Sequence, residues 1–493
     1  MSDKHALPAT LTYDPVTDRP QEECGVFAVY GSEDAGVLTA LGLHALQHRG
    51  QEACGIATHD GSRFHVERYL GLVGENFTSA DMPQRLPGNV AIGHVRYSTQ
   101  GASVLRNVQP LYSDVRGGGI ALAHNGHITN ARVLREELVA NGAIFQSTSD
   151  SEVVLHLAAL SRKSKLTNRL SHALKQIEGA FAFVVLVNDR LIAARDPHGI
   201  RPLVMGQLGD AVVFASETTA LDMVGATYVR DVEPGEAIIL SDGEMRSERF
   251  SPARTARPCA FEFIYFARPD SNIGGRSVYE ARKEMGRQLA REMPVDVDVI
   301  IPVPDSGVPA ALGYSEASGI PFELGIIRSH FVGRTFIQPN QDRRDMSVRL
   351  KHSANAAAVR GKRVLLIDDS IVRGTTSLKI VRLMREAGAT EVHFRSACPP
   401  IKFPDFYGID MAGQKELIAA NMGVDQMAAK LEADSLAFLT VDGMYKAITG
   451  GPRDDRAPQL SDHYFTGEYP TRLMDHDRSL SAKEFQLSLL VDA

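Results

Sequence analysis

Cysteine is scarce in this chain. The 493 residues hold four, Cys24, Cys54, Cys259 and Cys398, and no pair has CxxC spacing. That argues against a disulfide framework and against a zinc site. Long apolar runs are missing too; stretches such as Ala180 to Val187 have strand length and fall short of a bilayer. There is no excess of basic charge: 53 Lys and Arg stand against 60 Asp and Glu, a formal net charge of -7. Nucleic acid is therefore not expected as the main partner, although single phosphate sites depend on local geometry and survive this argument. No internal repeat or low-complexity tract occurs. The first 23 residues, MSDKHALPATLTYDPVTDRPQEE, lack the apolar core of a secretory signal. These absences lead to the expectation of a cytoplasmic protein with no membrane segment.

What is present divides into two rhythms. The length calls for two or three domains. From Cys24 to about Arg246, short β-prone runs (CGVFAVYG, AIGHVRYST, IALAHNG, AFAFVVLV, EAIILSDG) alternate with Gly, Asn and Asp turns. Two helices interrupt them, one over roughly Ala35 to Gln47 and one beginning at Ser149 with the capping box Ser149-Asp150-Ser151-Glu152. Strands with segregated helices predict a layered α+β domain. The polar stretch from Arg246 to Pro258 reads as a linker. Beyond it come a helix over Val278 to Glu292, the strand VDVIIPVP and a helix from Ser306. KRVLLIDDS then leads into a helix from Thr375 that ends at Gly388, and EVHFRSA follows as a strand. That alternation predicts a parallel α/β sheet. The expected organisation is domains over 24–255 and 256–460 and a C-terminal extension over 461–493, with the prefix over 1–23 outside both domains.

The segment Val364 to Ser377, VLLIDDSIVRGTTS, carries the clearest chemistry. A buried strand ends in two carboxylates, Asp368 and Asp369. A loop of small residues then opens a helix, where N–H groups and hydroxyls suit a phosphate. The carboxylates can hold ribose hydroxyls and lie beside a Mg²⁺ on a pyrophosphate. A bare Asp-Asp helix cap is the bland alternative; strand, acids and loop in this order weigh against it. The segment resembles the signature of the type I phosphoribosyltransferases for phosphoribosyl pyrophosphate (PRPP), and Pro302 to Gly307 (PVPDSG) resembles their pyrophosphate loop. The resemblance implies that Asp305, Ser306, Asp368, Asp369, Ser370, Ile371, Val372, Arg373, Gly374, Thr375 and Thr376 bind PRPP. It places one Mg²⁺ at Ser306, Asp368 and Asp369. The basic stretch Arg328 to Lys351 matches the lid of that family.

In the first half, CGVF, QHRGQEACG, HVRYST, AHNG and TSDSE follow in order. Together they resemble the class II glutamine amidotransferases, N-terminal nucleophile (Ntn) hydrolases with an αββα fold. The resemblance makes Cys24 the nucleophile, Asn125 and Gly126 the oxyanion hole, and Arg96, Thr99 and Asp150 the glutamine-binding residues. Their cysteine must begin the mature chain, since a free α-amine with pKa about 7.7–8.0 can act as its base. Residues 1–23 are then a propeptide, cleaved between Glu23 and Cys24. Arg49 reads as structural, Cys54 as buried, and His94 and His124 as packing or hydrogen-bonding groups.

Both halves in this order, with EFIYFARPDS, VGRTFI and FYGID, resemble the glutamine phosphoribosylpyrophosphate amidotransferases from Cys24 to about Thr471. The reaction implied is PRPP, glutamine and water giving phosphoribosylamine, glutamate and pyrophosphate, the first step of purine synthesis, with ammonia passed through an internal channel. Feedback by AMP and GMP and a homotetramer or homodimer are implied as well. One branch of that family carries a 4Fe–4S cluster on four cysteines. Here Cys259 stands at the first of those positions, Asp405 at the second, and Ala457 to Tyr464 contains no cysteine. One thiolate does not hold such a cluster, so none is expected. A nucleotide-sensing DNA-binding protein, the main rival, would need a basic patch or a helix-turn-helix segment, and neither is visible.

Overall fold

The computed structural model describes residues 21–22, 24–97, 104–252, 254–328, 352–411 and 413–476. It divides into two compact units that are not contiguous in sequence. One is built from Gln21–Ala281 and takes back Phe403–Met411 and the chain from Tyr445; the other takes Arg282–Lys402 and Ala412–Met444.

The first unit holds two antiparallel sheets. In the seven-stranded sheet the central strands are Ala211–Ala215, Cys24–Tyr30, Val90–Arg96 and Ala53–His59, in that spatial order. The six-stranded sheet is centred on Arg190–Arg195, Gly179–Val187 and Gly118–Ile128. Alternation along one strand sorts its side chains between two cores. Val26 and Ala28 face the second sheet, packing with Ala121, Ala123 and Val184, whereas Phe27 and Val29 face the helices with Leu43 and Leu221. Helices Ala35–Ala45 and Thr218–Val224 lie on that outer face; Ala131–Ala140, Glu152–Leu160 and Leu166–Leu174 pack on the outer face of the other sheet. The layers are αββα, as the resemblance implied. Gly42 lets the first helix sit down on its sheet, for a Cβ there would lie 2.3 Å from the Phe27 ring.

Two local readings are corrected. The second helix begins at Glu152, not Ser149, and no capping box forms at Ser149. The Glu152 carboxylate instead accepts from the N–H groups of Gln146 (2.7 Å) and Ser147 (2.8 Å) and from the Ser147 hydroxyl (2.6 Å), which leaves Asp150 free to turn elsewhere. The start of the supposed linker is a strand, Glu244–Arg249, paired along its length with Glu236–Ser241. Its exposed face is polar because it lies at the edge of the sheet, so composition alone read it as loop.

The second unit is a parallel sheet in the order Val299–Pro302, Arg363–Asp368, Glu391–Ser396, Ser435–Phe438. Ile301, Leu366 and Phe394 pack with Ile380, Val381 and Met384 of helix Thr375–Glu386. That helix stops where Gly388 takes φ +98°, a left-handed conformation that glycine adopts without cost. Among the described residues no helix is long and apolar enough to cross a membrane.

Candidate active sites

Cys24 opens its strand and pairs in register with Arg96, the last residue of the neighbouring strand, so the two share one end of the sheet. Cys24 is 9% exposed. The QHRG turn packs beneath them: a Cβ on Gly50 would lie 2.6 Å from the Arg96 backbone nitrogen, so only glycine fits there. Arg96 donates to the Asn107 carbonyl at 2.5 Å. Asn107 in turn exchanges two hydrogen bonds with Thr148, each 3.0 Å, which ties Arg96 to the loop that carries Asp150.

Asn125 and Gly126 lie on Gly118–Ile128, in the facing sheet. Gly126 has φ +131°, and a Cβ there would sit 2.1 Å from the Ala180 carbonyl oxygen. Asn125 is fully buried; one of its amide hydrogens points to Ser216 Oγ at 3.4 Å. Ser216 also accepts from the Val26 N–H (3.0 Å) and donates its own N–H to the Val26 carbonyl (3.0 Å). It therefore links the strand of Cys24 to the side chain of Asn125, and leaves the second amide hydrogen available to an oxyanion. Asp150 accepts from the Ile128 N–H at 2.9 Å and from Ser151, and faces His127 at 3.2 Å. Ser216 and His127 were not singled out in sequence. His127 closes the run HNGH, which was a usable signal; Ser216 follows an ordinary buried strand and gave none. Thr99 lies outside the described residues.

The histidines divide by charge state. Burial pushes His94 down to about 3 and His124 to about 4, so both are neutral at pH 7. His94 donates to the His124 carbonyl at 3.0 Å, and His124 meets Ser151 Oγ at 2.8 Å. His127 moves the other way: burial disfavours its cation, but its hydrogen bond to Asp150 and that carboxylate's charge outweigh burial. Asp150 is correspondingly held below its usual range: burial alone would raise it, and the contacts with His127, His124 and the Ile128 N–H prevail. A histidine with a depressed value favours folding above its ordinary 6.5 and loses that contribution as pH falls. His94 and His124 each cost roughly 2 kcal/mol of stability between pH 7 and 5, while the opposite contribution of His127 is lost only above 6.5. Urea midpoints at the two pH values measure this, and His124→Gln is expected to flatten the pH slope.

A buried ion cluster braces the same end of the sheet. Arg49 pairs with Glu217, and with Glu262 at 2.6 Å; Arg201 approaches Glu262 at 3.5 Å. Glu217 also accepts from the Arg268 N–H (2.9 Å) and from Ser271 (2.5 Å). Glu262 begins a single π-helical turn, Glu262–Phe266, inside EFIYFARPDS.

In the second unit, Pro302 pairs with Ile367, which puts the loop Pro302 to Gly307 beside the end of the Asp368 strand. The Val303 N–H donates to the Ile367 carbonyl at 2.8 Å, and a Cβ on Gly307 would lie 2.4 Å from that oxygen. Asp368 and Asp369 are buried. The Asp369 N–H donates to Asp368 (2.9 Å) and the Ser370 hydroxyl to Asp369 Oδ1 (2.6 Å). Asp369 Oδ2 and Ser306 Oγ are buried without a hydrogen-bond partner among the described residues. Buried oxygens are rarely left unsatisfied, and a carboxylate and a hydroxyl at two adjoining strand ends suit a hard cation with a diphosphate. Ile371 and Val372 are buried, and the Val372 carbonyl accepts from Ile418 at 2.9 Å. Arg373 meets Glu416 at 3.3 Å, and Gly374 takes φ +80° at the start of Thr375–Glu386, whose first residues are Thr375 and Thr376. Asp305 is paired with Arg328. Residues 329–351, most of the stretch read as a lid, lie outside the described residues; its flanks pair as Arg328 with His352.

A layered unit with a cysteine at a strand start, and a parallel sheet with a carboxylate pair at its C-terminal edge, define a glutamine amidotransferase joined to a phosphoribosyltransferase. The comparisons with known proteins agree. A glutamine amidotransferase domain model matches residues 94–223, and a phosphoribosyl transferase domain model matches 276–400. An amidophosphoribosyltransferase of Rhizobium etli is 56% identical over 482 residues, covering 96% of this chain and 97% of the relative. That of Bacillus subtilis is 49% identical, covering 92% and 95%. The solved B. subtilis glutamine PRPP amidotransferase complexed with ADP and GMP superposes with a TM-score of 0.86 at 48% identity, over 91% of this chain and 98% of that one. The chain belongs to the amidophosphoribosyltransferase family.

Proposed function

We propose that the protein transfers the amide nitrogen of glutamine to PRPP, giving phosphoribosylamine, glutamate and pyrophosphate, the first step of purine synthesis. The observation that carries this reading is the presence, in one chain, of the Cys24–Arg96 strand pair and the Ser306–Asp368–Asp369 strand ends. Residues 1–23 are removed, so that the α-amine of Cys24 takes the thiol proton as the sulfur attacks the carboxamide carbon. Asn125 and the Gly126 N–H receive the developing oxyanion. Arg96 pairs with the α-carboxylate of glutamine, Asp150 with its α-ammonium, and Thr99 lines the same site. Ammonia leaves, and water releases glutamate from the thioester.

On PRPP, Ile371 to Thr376 hold the 5-phosphate at a helix N-terminus, with Ser370 binding PRPP beside them. Asp305, Ser306, Asp368 and Asp369 hold the ribose and diphosphate end, with Ser306, Asp368 and Asp369 placed to bind one Mg²⁺. That ion neutralises charge on the leaving pyrophosphate when bound. The remaining work is positioning: ammonia meets the ribose centre as pyrophosphate departs. Purine nucleotides such as AMP and GMP act as feedback inhibitors, in line with the nucleotides in the B. subtilis complex. The enzyme is cytoplasmic and a homo-oligomer, tetramer or dimer.

The test is stoichiometry. With glutamine, PRPP and Mg²⁺, glutamate and pyrophosphate are expected to form one to one; glutamine hydrolysis that leaves PRPP untouched would overturn the proposal.

A further inference from the structure

The positions compared with a four-cysteine cluster converge in the first unit, and they converge on one another. Cys259 Sγ lies 3.1 Å from the Tyr464 hydroxyl, and Asp405 Oδ1 lies 2.7 Å from His463 Nε2. His463 Nδ1 is 3.1 Å from Ser461 Oγ, and Ser461 bridges Cys259 through the backbone. Cys259, His463, Tyr464 and the Asp405 side chain are all fully buried. Burial pushes the Cys259 thiol up to about 12, so it stays protonated. Burial also works against the Asp405 anion, but the hydrogen bond from His463 outweighs it and holds the carboxylate below its usual range. One protonated thiol, one carboxylate, one imidazole and one phenol, each already partnered, do not fit a cluster that needs thiolate ligands.

Asp405 does more than pair with His463. Its Oδ2 accepts from the N–H groups of Tyr407 (2.8 Å) and Ile409 (2.6 Å), fixing the turn between them. The Tyr407 carbonyl accepts from Arg201 at 2.9 Å, and its hydroxyl accepts from the Thr471 N–H at 3.0 Å. The turn delivers Gly408 onto Gly126: a Cβ on Gly408 would lie 2.9 Å from the Gly126 Cα. In the unprocessed chain Ile409 and Asp410 also pair with Glu22 and Gln21, just ahead of Cys24, a pairing that the proposed removal of residues 1–23 ends.

We infer that the Asp405–His463 pair is a metal-free brace, which holds the Phe403–Met411 segment against Gly126 and so sets the oxyanion hole. Asp405 is a positioning residue; it touches no reacting atom. The inference rests on the glutaminase role proposed for Cys24. It follows that ammonia release depends on the brace, whereas the use of free ammonia by the other unit does not.

The experiment compares full-length Asp405→Asn and Gly408→Ala with wild type. The first loosens the turn, and the second presses a methyl on Gly126. Both are expected to lower glutamine-dependent kcat at least about tenfold, with glutamine KM and ammonia-dependent turnover within about threefold. Alkylation of Cys24 by iodoacetamide, which needs no oxyanion hole, is expected to stay within about twofold. His463→Gln, which keeps a donor to Asp405, is expected to retain most of the activity. Wild-type kcat in both variants, or an equal fall in alkylation, overturns the brace. So does a cluster that forms when the protein is treated anaerobically with iron and sulfide. Glutamine-dependent activity in Cys24→Ala would remove the glutaminase reading itself, a failure distinct from the others.

Discussion

Cys24→Ala loses glutamine-dependent formation of phosphoribosylamine by at least about 10⁴-fold, while ammonia-dependent formation from PRPP stays within about twofold. The size follows from the chemistry. No other side chain at that strand end can form the thioester: Cys54, the other cysteine of the same sheet, is buried and pushed up to about 12, and no substrate carboxamide has access to it. The asymmetry follows from the organisation, because the carboxylate pair of the phosphoribosyltransferase sheet belongs to the other unit. Parallel assays with glutamine and with ammonium chloride check it, pyrophosphate being the common readout. A mutant that lost both activities equally would show that the thiol serves folding and not catalysis.

The second large effect is on stability. Arg49→Met removes the cation shared by Glu217 and Glu262 from a fully buried place, all three side chains being at most 1% exposed. It leaves Glu217 to the part-exposed His48 at 2.7 Å and Glu262 to Arg201 at 3.5 Å. Removing one partner of a buried ion cluster costs about 3–5 kcal/mol, because the remaining charges keep their desolvation penalty. A unit of this size should melt roughly 10 °C lower, and more steeply so at neutral pH than in acid, where the stranded carboxylates can take up protons. Calorimetry or denaturant titration measures it. Adding Glu262→Gln to Arg49→Met should recover part of the loss, whereas Glu262→Gln alone should not stabilise.

Much of this was legible in the sequence because the informative residues are local. Val364 to Ser377 places strand, acids and phosphate loop within fourteen residues, and the structure keeps that order from Arg363–Asp368 into Thr375–Glu386. CGVFAVY reads as a strand and forms one; that its two faces belong to separate cores is shown only by the packing. Arg49, read as structural, sits in the ion cluster. What stayed hidden depends on distant pairing. Ser216 meets Val26 and Asn125 across 190 and 91 residues. The strand Glu244–Arg249 looked like a linker because only its pairing with Glu236–Ser241 reveals it. The box at Ser149 failed because Glu152 found closer donors at Gln146 and Ser147.

The return of Phe403–Met411 and of Tyr445 onward to the first unit bears on how the protein is made. A ribosome that has released only the first 281 residues has produced the sheets but not the turn that leans on Gly126 or the His463 that fixes it. Domains generally fold as units during synthesis, the N-terminal one first. Here the N-terminal one cannot be finished until almost the whole chain has emerged. Unfinished or prematurely ended chains would then hydrolyse little glutamine, and ammonia release would begin only once its consumer had already been translated.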